Sequence, residues 1–439
     1  MRKFFRTALT CLALAVCAAT LCLATGCGAY DATRKEGEAS KATRLQVASD
    51  GSFTVLQLTD LHLTTNGTYS KDRQTLRWVE EAIQRVNPDL VEVTGDAVAG
   101  SGKGRDRALL ALANIFEKNR TYWAYTFGNH DGEHTLDENG KDAWIGKEGK
   151  RNDLLQYCPQ AKADIADTVS QIYYGDNTRG NEELYELLRG YEYALLQRSP
   201  EEIADPDAMG VGNYVIELEN AAGETVFALI HMDTHGKTYV DPVGNAKGAS
   251  GCVDVGYVGL TQAQIRWYES QAERLHERDI PSVLFMHVPN FAYRTATEQS
   301  LEPNRYGIPQ FGPIADAAQL RGQVPQKYAD TGVEYIKQED ICAPRWDDGL
   351  TAAIARYPGT NLIAVGHEHN NAFVLEYPCG KNSVLLAYGR TSGVNAWSRD
   401  IPIGGSVYRI DTTCRGSAVD TYDIWVEYPS FSYAKLGNR

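Results

Sequence analysis

The sequence predicts an α/β fold. Short apolar runs alternate with stretches of helical periodicity, and several of the runs end abruptly in His, Asp or Asn. The elements follow in order. A strand over Phe53–Leu58 precedes a helix over Arg73–Val86. Strand Leu90–Thr94 then leads to helix Arg105–Glu117 and strand Tyr122–Phe127. The next clear strands are Tyr214–Leu218 and Thr225–Met232, so residues 133–210 form a large insertion, with helical character around Glu182–Leu195. A Thr261-x-x-Gln264 capping box starts a helix through Ile265, Tyr268, Ala272 and Leu275, followed by strand Ser282–Met286. Residues 290–347, rich in Pro, Gly, Gln and Tyr, form a second insertion before helix Leu350–Arg356 and strand Asn361–Val365. The final runs, Ala372–Glu376, Val384–Tyr388, Val407–Ile410 and Ala418–Ile424, have no helices between them and read as an antiparallel meander closing a second sheet.

The 439 residues carry 43 Lys+Arg against 57 Asp+Glu, a net charge of −14. That balance repels polyphosphate and excludes nucleic acid as a scaffold-type partner, while a small anionic substrate is still drawn to a local metal charge. Arg2, Lys3 and Arg6 precede an apolar run from Ala8 to Leu23, the pattern of an export signal. Its end, Leu23-Ala24-Thr25-Gly26-Cys27, resembles a bacterial lipobox: cleavage of residues 1–26 would leave Cys27 to carry lipid and fix the chain to the outer side of the cell membrane. Residues 27–48 are polar and aperiodic and read as a flexible tether, and 49–439 as one domain with insertions. Outside the cytoplasm, Cys379 and Cys414 are expected to form a disulfide, because antiparallel pairing of the runs beside them would bring their thiols together. Cys252 and Cys342 form a second candidate pair across two long loops, leaving Cys158 alone.

The chemistry sits at the strand ends. Leu58-Thr59-Asp60-Leu61-His62, Val93-Thr94-Gly95-Asp96, Phe127-Gly128-Asn129-His130-Asp131, Leu284-Phe285-Met286-His287 and Ala364-Val365-Gly366-His367-Glu368-His369 each place metal-ligand side chains directly after an apolar strand. Imidazole and carboxylate together suit Zn, Fe or Mn. The seven candidates Asp60, His62, Asp96, Asn129, His287, His367 and His369 are too many for one tetrahedral ion, but two ions sharing a bridging carboxylate would use them all. Gly95, Gly128 and Gly366 let the backbone turn sharply and approach closely.

This set resembles the calcineurin-like metallophosphoesterase superfamily, whose blocks D-x-H, G-D, G-N-H-D/E, H and G-H-x-H occur here in that order. Phe285-Met286-His287-Val288-Pro289 and Gly366-His367-Glu368-His369-Asn370-Asn371-Ala372-Phe373 are similar to its purple acid phosphatase-like branch. The resemblance covers roughly residues 50–410. It implies a four-layer α-β-β-α sandwich with two divalent or trivalent metal ions (Fe, Mn or Zn) between the sheets. By motif position, one ion takes Asp60, His62, Asp96 and His369 and the other Asp96, Asn129, His287 and His367. The ions would clamp phosphate and activate water. His130 would protonate the leaving group or stabilise developing charge, with Asp131 orienting it through a hydrogen bond.

The purple enzymes' ligating Tyr is replaced by Ala99, so no charge-transfer colour is expected, and His62 supplies an imidazole in its stead. Glu92, inside the apolar strand Leu90–Thr94, requires a buried partner, expected to be an Arg or a backbone group. His231 and His235 follow a strand and read as solvated loop histidines or, as the less favoured alternative, as lining the crevice. Tyr173, Tyr174, Tyr191, Tyr193, Tyr293 and Tyr306 read equally as lid aromatics or as core caps. The function implied is hydrolysis of a small phosphate mono- or diester by a membrane-tethered enzyme. The alternatives are a diesterase acting on lipid headgroups or cell-wall phosphodiesters, and a surface lipoprotein that binds but does not turn over.

Overall fold

A computed structural model describes residues 29–35, 43–99, 102–136, 142–144, 168–174, 178–200, 209–244, 253–314, 316, 319–328, 331, 333, 335–398 and 401–433. The signal, Cys27, Cys158 and Cys252 lie outside the described residues. From the N-terminus come β1 (Arg44–Gln46), β2 (Ser52–Leu58), α1 (Ser70–Val86), β3 (Leu90–Thr94), α2 (Gly102–Asn119) and β4 (Tyr122–Thr126). The first insertion holds β5 (His134–Leu136), β6 (Asp142–Trp144), β7 (Val169–Tyr174) and α3 (Thr178–Leu188). Then follow β8 (Tyr214–Glu219), β9 (Thr225–His231), β10 (Lys237–Pro242), β11 (Val253–Tyr257), α4 (Gln262–His276) and β12 (Ser282–Phe285). The second insertion is not a bare loop: it contains α5 (Phe291–Thr297), β13 (Glu298–Leu301), β14 (Gln310–Pro313) and β15 (Ile336–Lys337). The chain ends with α6 (Leu350–Arg356), β16 (Thr360–Val365), β17 (Asn371–Cys379), β18 (Asn382–Tyr388), β19 (Gly405–Asp411), α7 (Ala418–Thr421) and β20 (Tyr422–Glu427).

Two sheets face each other. One has the order β20-β19-β2-β3-β4, with β2, β3 and β4 parallel; the other runs β1-β8-β9-β12-β16-β18-β17-β15, with β9, β12, β16 and β18 parallel. Side chains alternate between the two faces of the larger sheet. Phe227, Leu229, Val283, Phe285, Leu362, Ala364, Leu385 and Ala387 point into the core shared with the smaller sheet. Their neighbours Ala228, Ile230, Leu284, Met286, Ile363, Val365, Val384 and Leu386 pack with α4 and α6 on the outside. Helices α1 and α2 cover the smaller sheet through Trp78, Val79, Ala82, Leu109, Leu112 and Phe116, completing a four-layer sandwich.

Four sequence expectations are corrected here. The terminal runs do not form one meander: β17 and β18 extend the larger sheet, whereas β19 and β20 pair with β2 in the smaller one, and Ala418–Thr421 is a helical turn. The Cys379–Cys414 disulfide is consequently absent, since Cys379 ends β17 of the larger sheet and Cys414 follows β19 of the smaller one. The buried Cys379 thiol donates to the Thr351 carbonyl, while Cys414 Sγ accepts from the Gly416 N–H. Cys342 is also a free thiol, so it forms no Cys252–Cys342 bridge. Finally, part of the stretch read as a tether is folded. Arg44–Gln46 adds a parallel edge strand to β8, burying Leu45, and Tyr30 packs on the core; one apolar residue in a three-residue strand leaves no periodic signal.

Candidate dinuclear metal centre

The site lies at the carboxyl ends of the parallel strands of both sheets. Strand β2 delivers Asp60 and His62, β3 Asp96, β4 Asn129 and His130, β12 His287, and β16 His367 and His369. Asp60, His62, Asp96 and His367 all adopt positive φ (53°, 47°, 48° and 85°), a costly conformation for residues other than glycine and one that clusters at functional sites. The glycine beside each turn is needed for space. A Cβ on Gly128 would lie 2.1 Å from Asp96 Oδ1, and one on Gly366 would lie 1.9 Å from Thr59 Oγ1.

The structure brings the predicted ligands into two groups, Asp60–His62–His369 and Asp96–His287–His367. Within the first, His369 Nε2 is 3.4 Å and His62 Nε2 3.9 Å from Asp60 Oδ1. Asp96 touches both groups, its Oδ2 standing 3.2 Å from His287 Nε2 and 3.7 Å from His62 Nε2. Asn129 is buried and directly follows Gly128, which packs against Asp96. Two donors on one ion at bonds of ~2.1 Å stand ~3–3.5 Å apart, so these spacings are those of a ligand set.

The groups behind the ligands fix their orientation. His287 Nδ1 bonds the Thr94 carbonyl at 2.8 Å and His369 Nδ1 the Trp397 carbonyl at 2.7 Å, which leaves each Nε2 for the pocket. Asp60 Oδ2 accepts from the Thr59 hydroxyl and the His367 N–H. Below the pocket, the Gln57 amide of β2 donates to Thr94 Oγ1 in its own sheet (2.8 Å) and to the Val365 carbonyl in the other (3.1 Å), while accepting from the Tyr408 hydroxyl.

Burial raises the pKa of both carboxyls, but the surrounding histidines outweigh it and hold Asp60 well below, and Asp96 below, the usual carboxylate range. Burial would lower His287, yet the Asp96 charge pushes it up to about 10. Two buried anions thus demand positive charge here. Asp60 Oδ1, His62 Nε2, His287 Nε2 and His367 Nδ1 are all buried without a hydrogen bond of ordinary geometry, a concentration that buried polar atoms normally avoid. The donor set fits two cations.

His130 lies at the rim with 39% of its side chain exposed, its ring centroid 5.3 Å from that of His62. Its Nδ1 pairs with Glu133 Oε2 at 2.8 Å. Burial lowers its pKa, but Asp96 and the Glu133 bond raise it to about 9 overall. Asp131 does not orient His130. It is fully buried and turned inward, accepting from the backbone N–H groups of Asp96 (3.0 Å), Gly128 (2.8 Å) and Val98 (3.2 Å). The i+3 spacing of Glu133 from His130 was the only sequence signal for the true partner. Asn395, which donates to the His62 carbonyl at 3.0 Å, had none.

His231 does not line the crevice either. It is completely buried and is the partner of Glu92, Nε2 to Oε2 at 2.8 Å, in place of the expected Arg or backbone group. It stacks on Tyr214 with centroids 4.2 Å apart. His235 is also buried and meets Gln264 Oε1 at 3.1 Å. Tyr191 and Tyr293 belong to the core rather than a lid.

The calcineurin-like phosphoesterase family model matches residues 53–205. The yeast (Saccharomyces cerevisiae) phosphatase DCR2 is 23% identical over 365 residues, covering 79% of this chain, which spans about half, 49%, of that relative's length. Two Arabidopsis thaliana proteins described as probable inactive purple acid phosphatases 28 and 14 are 25% and 21% identical. They cover 81% and 92% of this chain and 74% and 86% of their own. The family match contains Asp60, His62, Asp96, Asn129 and His130, and the fold carries His287, His367 and His369 to the same pocket. Over residues 53–205 the chain is similar to the calcineurin-like phosphoesterase family.

Proposed function

We propose that this chain hydrolyses small phosphate mono- or diesters at a dinuclear metal site. The observation that carries the reading is the pair of ligand groups joined by Asp96, with four buried donor atoms left for cations. Cations bound there supply Lewis-acid polarisation of the phosphoryl group and a more acidic water. Asp60, His62 and His369 would hold one, and Asn129, His287 and His367 the other, with Asp96 between them. His130, at the solvent-exposed rim, would face an ester's departing oxygen. It supports charge there or delivers a proton, with Glu133 keeping the ring in place.

The amino-terminal pattern supports placing this activity outside the cytoplasm, tethered through lipid on Cys27. Among the described residues no helix is long and apolar enough to cross a membrane. Purified protein loaded with Mn, Fe or Zn and assayed on nitrophenyl phosphate and bis-nitrophenyl phosphate tests the proposal. Turnover of at least one ester, abolished in Asp96→Asn together with bound metal, is expected. Silence on both esters with two ions bound favours the binding lipoprotein, a reading with which the descriptions of the two plant relatives agree.

A further inference from the structure

Beside the dinuclear site lies a third group able to hold a metal: Cys342, His367 and Glu368 offer ligand atoms within 4.8 Å of one another. It differs from the other two in containing a thiol and in standing on the second insertion. Cys342 is exposed, so ions reach it from solvent. Glu368 is only 4% exposed; its Oε1 accepts from the Cys342 N–H at 2.5 Å, and its Oε2 is buried without a hydrogen bond of ordinary geometry. The same carboxyl meets the Cys342 thiol, so acid and thiol stand together with the imidazole, the donor types that a metal ion draws to one point.

The loop bearing Cys342 is held in place. The buried Arg294 guanidinium of α5 donates to the carbonyls of Ile341 (2.5 Å), Ala343 (2.8 Å) and Pro344 (3.2 Å), and Glu298 Oε1 accepts from the Ile341 N–H at 2.8 Å. Thiolate, imidazole and carboxylate around one point, with water as a fourth ligand, make a tetrahedral site for a soft or borderline ion such as Zn²⁺.

His367 is common to both sites. Its Nε2 lies 3.9 Å from Glu368 Oε1, while Nδ1 is the buried, unbonded nitrogen. A neutral imidazole has a single lone pair and serves one ion at a time. We propose that Cys342, Glu368 and His367 form an inhibitory zinc site that competes with the dinuclear centre for His367. This rests on the assignment of His367 as a ligand of that centre. Binding makes an S–metal bond, releases the thiol proton to solvent and leaves every oxidation state unchanged.

The test uses the full chain titrated with Co²⁺ and, separately, with Zn²⁺. Bound metal is measured by elemental analysis, thiolate-to-cobalt charge transfer by absorption, and turnover on a nitrophenyl ester. None of the seven dinuclear-site residues supplies sulfur, so a thiolate band at the third equivalent, lost in Cys342→Ser, is expected. Excess Zn²⁺ should lower turnover of the parent about 10–100-fold, the range for losing support of a metal site, and spare Cys342→Ser, whose activity without excess zinc stays unchanged. Glu368→Gln, which keeps an acceptor for the Cys342 N–H, should weaken the third ion without abolishing the first two. Saturation at two equivalents with turnover intact and no thiolate band overturns the inhibitory site alone, as does a band that survives Cys342→Ser. Failure to bind any ion overturns the dinuclear reading itself.

Discussion

Replacing Asp131 by Ala tests the corrected role of this residue. If Asp131 oriented His130, its loss would damage turnover and leave the fold intact. The structure instead gives it three backbone donors, Asp96, Gly128 and Val98, all at fully buried positions. Each buried N–H left unpaired costs about 1–3 kcal/mol, so Asp131→Ala should lose on the order of 3–6 kcal/mol after partial relaxation. With a urea slope of about 3 kcal/mol per molar for a chain of this size, the unfolding midpoint falls by roughly 1–2 M. Asp131→Asn should lose about a third to a half of that, since its single oxygen still serves Asp96 and Gly128 while its amide faces the Val98 N–H. Urea denaturation followed by fluorescence reads both variants. A midpoint within 0.2 M of the parent (roughly 0.6 kcal/mol by the same slope) for Asp131→Ala would refute the reasoning.

Glu133→Gln should lower turnover by about tenfold and flatten its alkaline limb, while His130→Ala should lower it about a hundredfold; metal content by elemental analysis should not change in either. His231→Ala strands the buried Glu92 carboxylate, whose pKa burial already raises, and should cost about 3–5 kcal/mol. The double replacement Glu92→Leu/His231→Leu should recover most of it, and a cycle of denaturation midpoints measures both. Asp348, fully buried, has its carboxyl raised by burial to about 7, though its Oδ1 accepts from the Leu350 N–H. A raised folded pKa gives stability that is full below about pH 4 and lost as pH rises through about 7. Asp348→Asn should therefore gain on the order of 2–4 kcal/mol on the parent at pH 8 and little at pH 4, which urea curves at the two values compare.

Much of this site was readable because its chemistry is local. An apolar strand followed at once by His or Asp identifies both the strand and the ligand, and the parallel strands of two sheets carry such ends to one place. Sheet membership was not readable in the same way: β17 to β20 are all short alternating runs, and nothing in their periodicity says that β19 pairs with β2 rather than β18. The Cys379–Cys414 expectation failed with that pairing. Side-chain direction after a turn was also hidden. His130 and Asp131 are consecutive, yet one reaches the solvent and the other the loop's own amides, as the local backbone directs. Glu92 announced its need for a partner, but His231 lies 139 positions away on the other sheet, a distance no local pattern spans.

Gln57 has a consequence for metal choice. Its amide joins the two sheets beneath the pocket, as the Glu92–His231 and His287–Thr94 bonds also do, so two cations held there would be spaced by the sheets more than by their own radii. A smaller or larger ion would be accommodated by rotation of imidazole rings. Exchange among ions of different size should therefore alter rate while leaving the intermetal spacing nearly constant, a ruler that X-ray absorption can read.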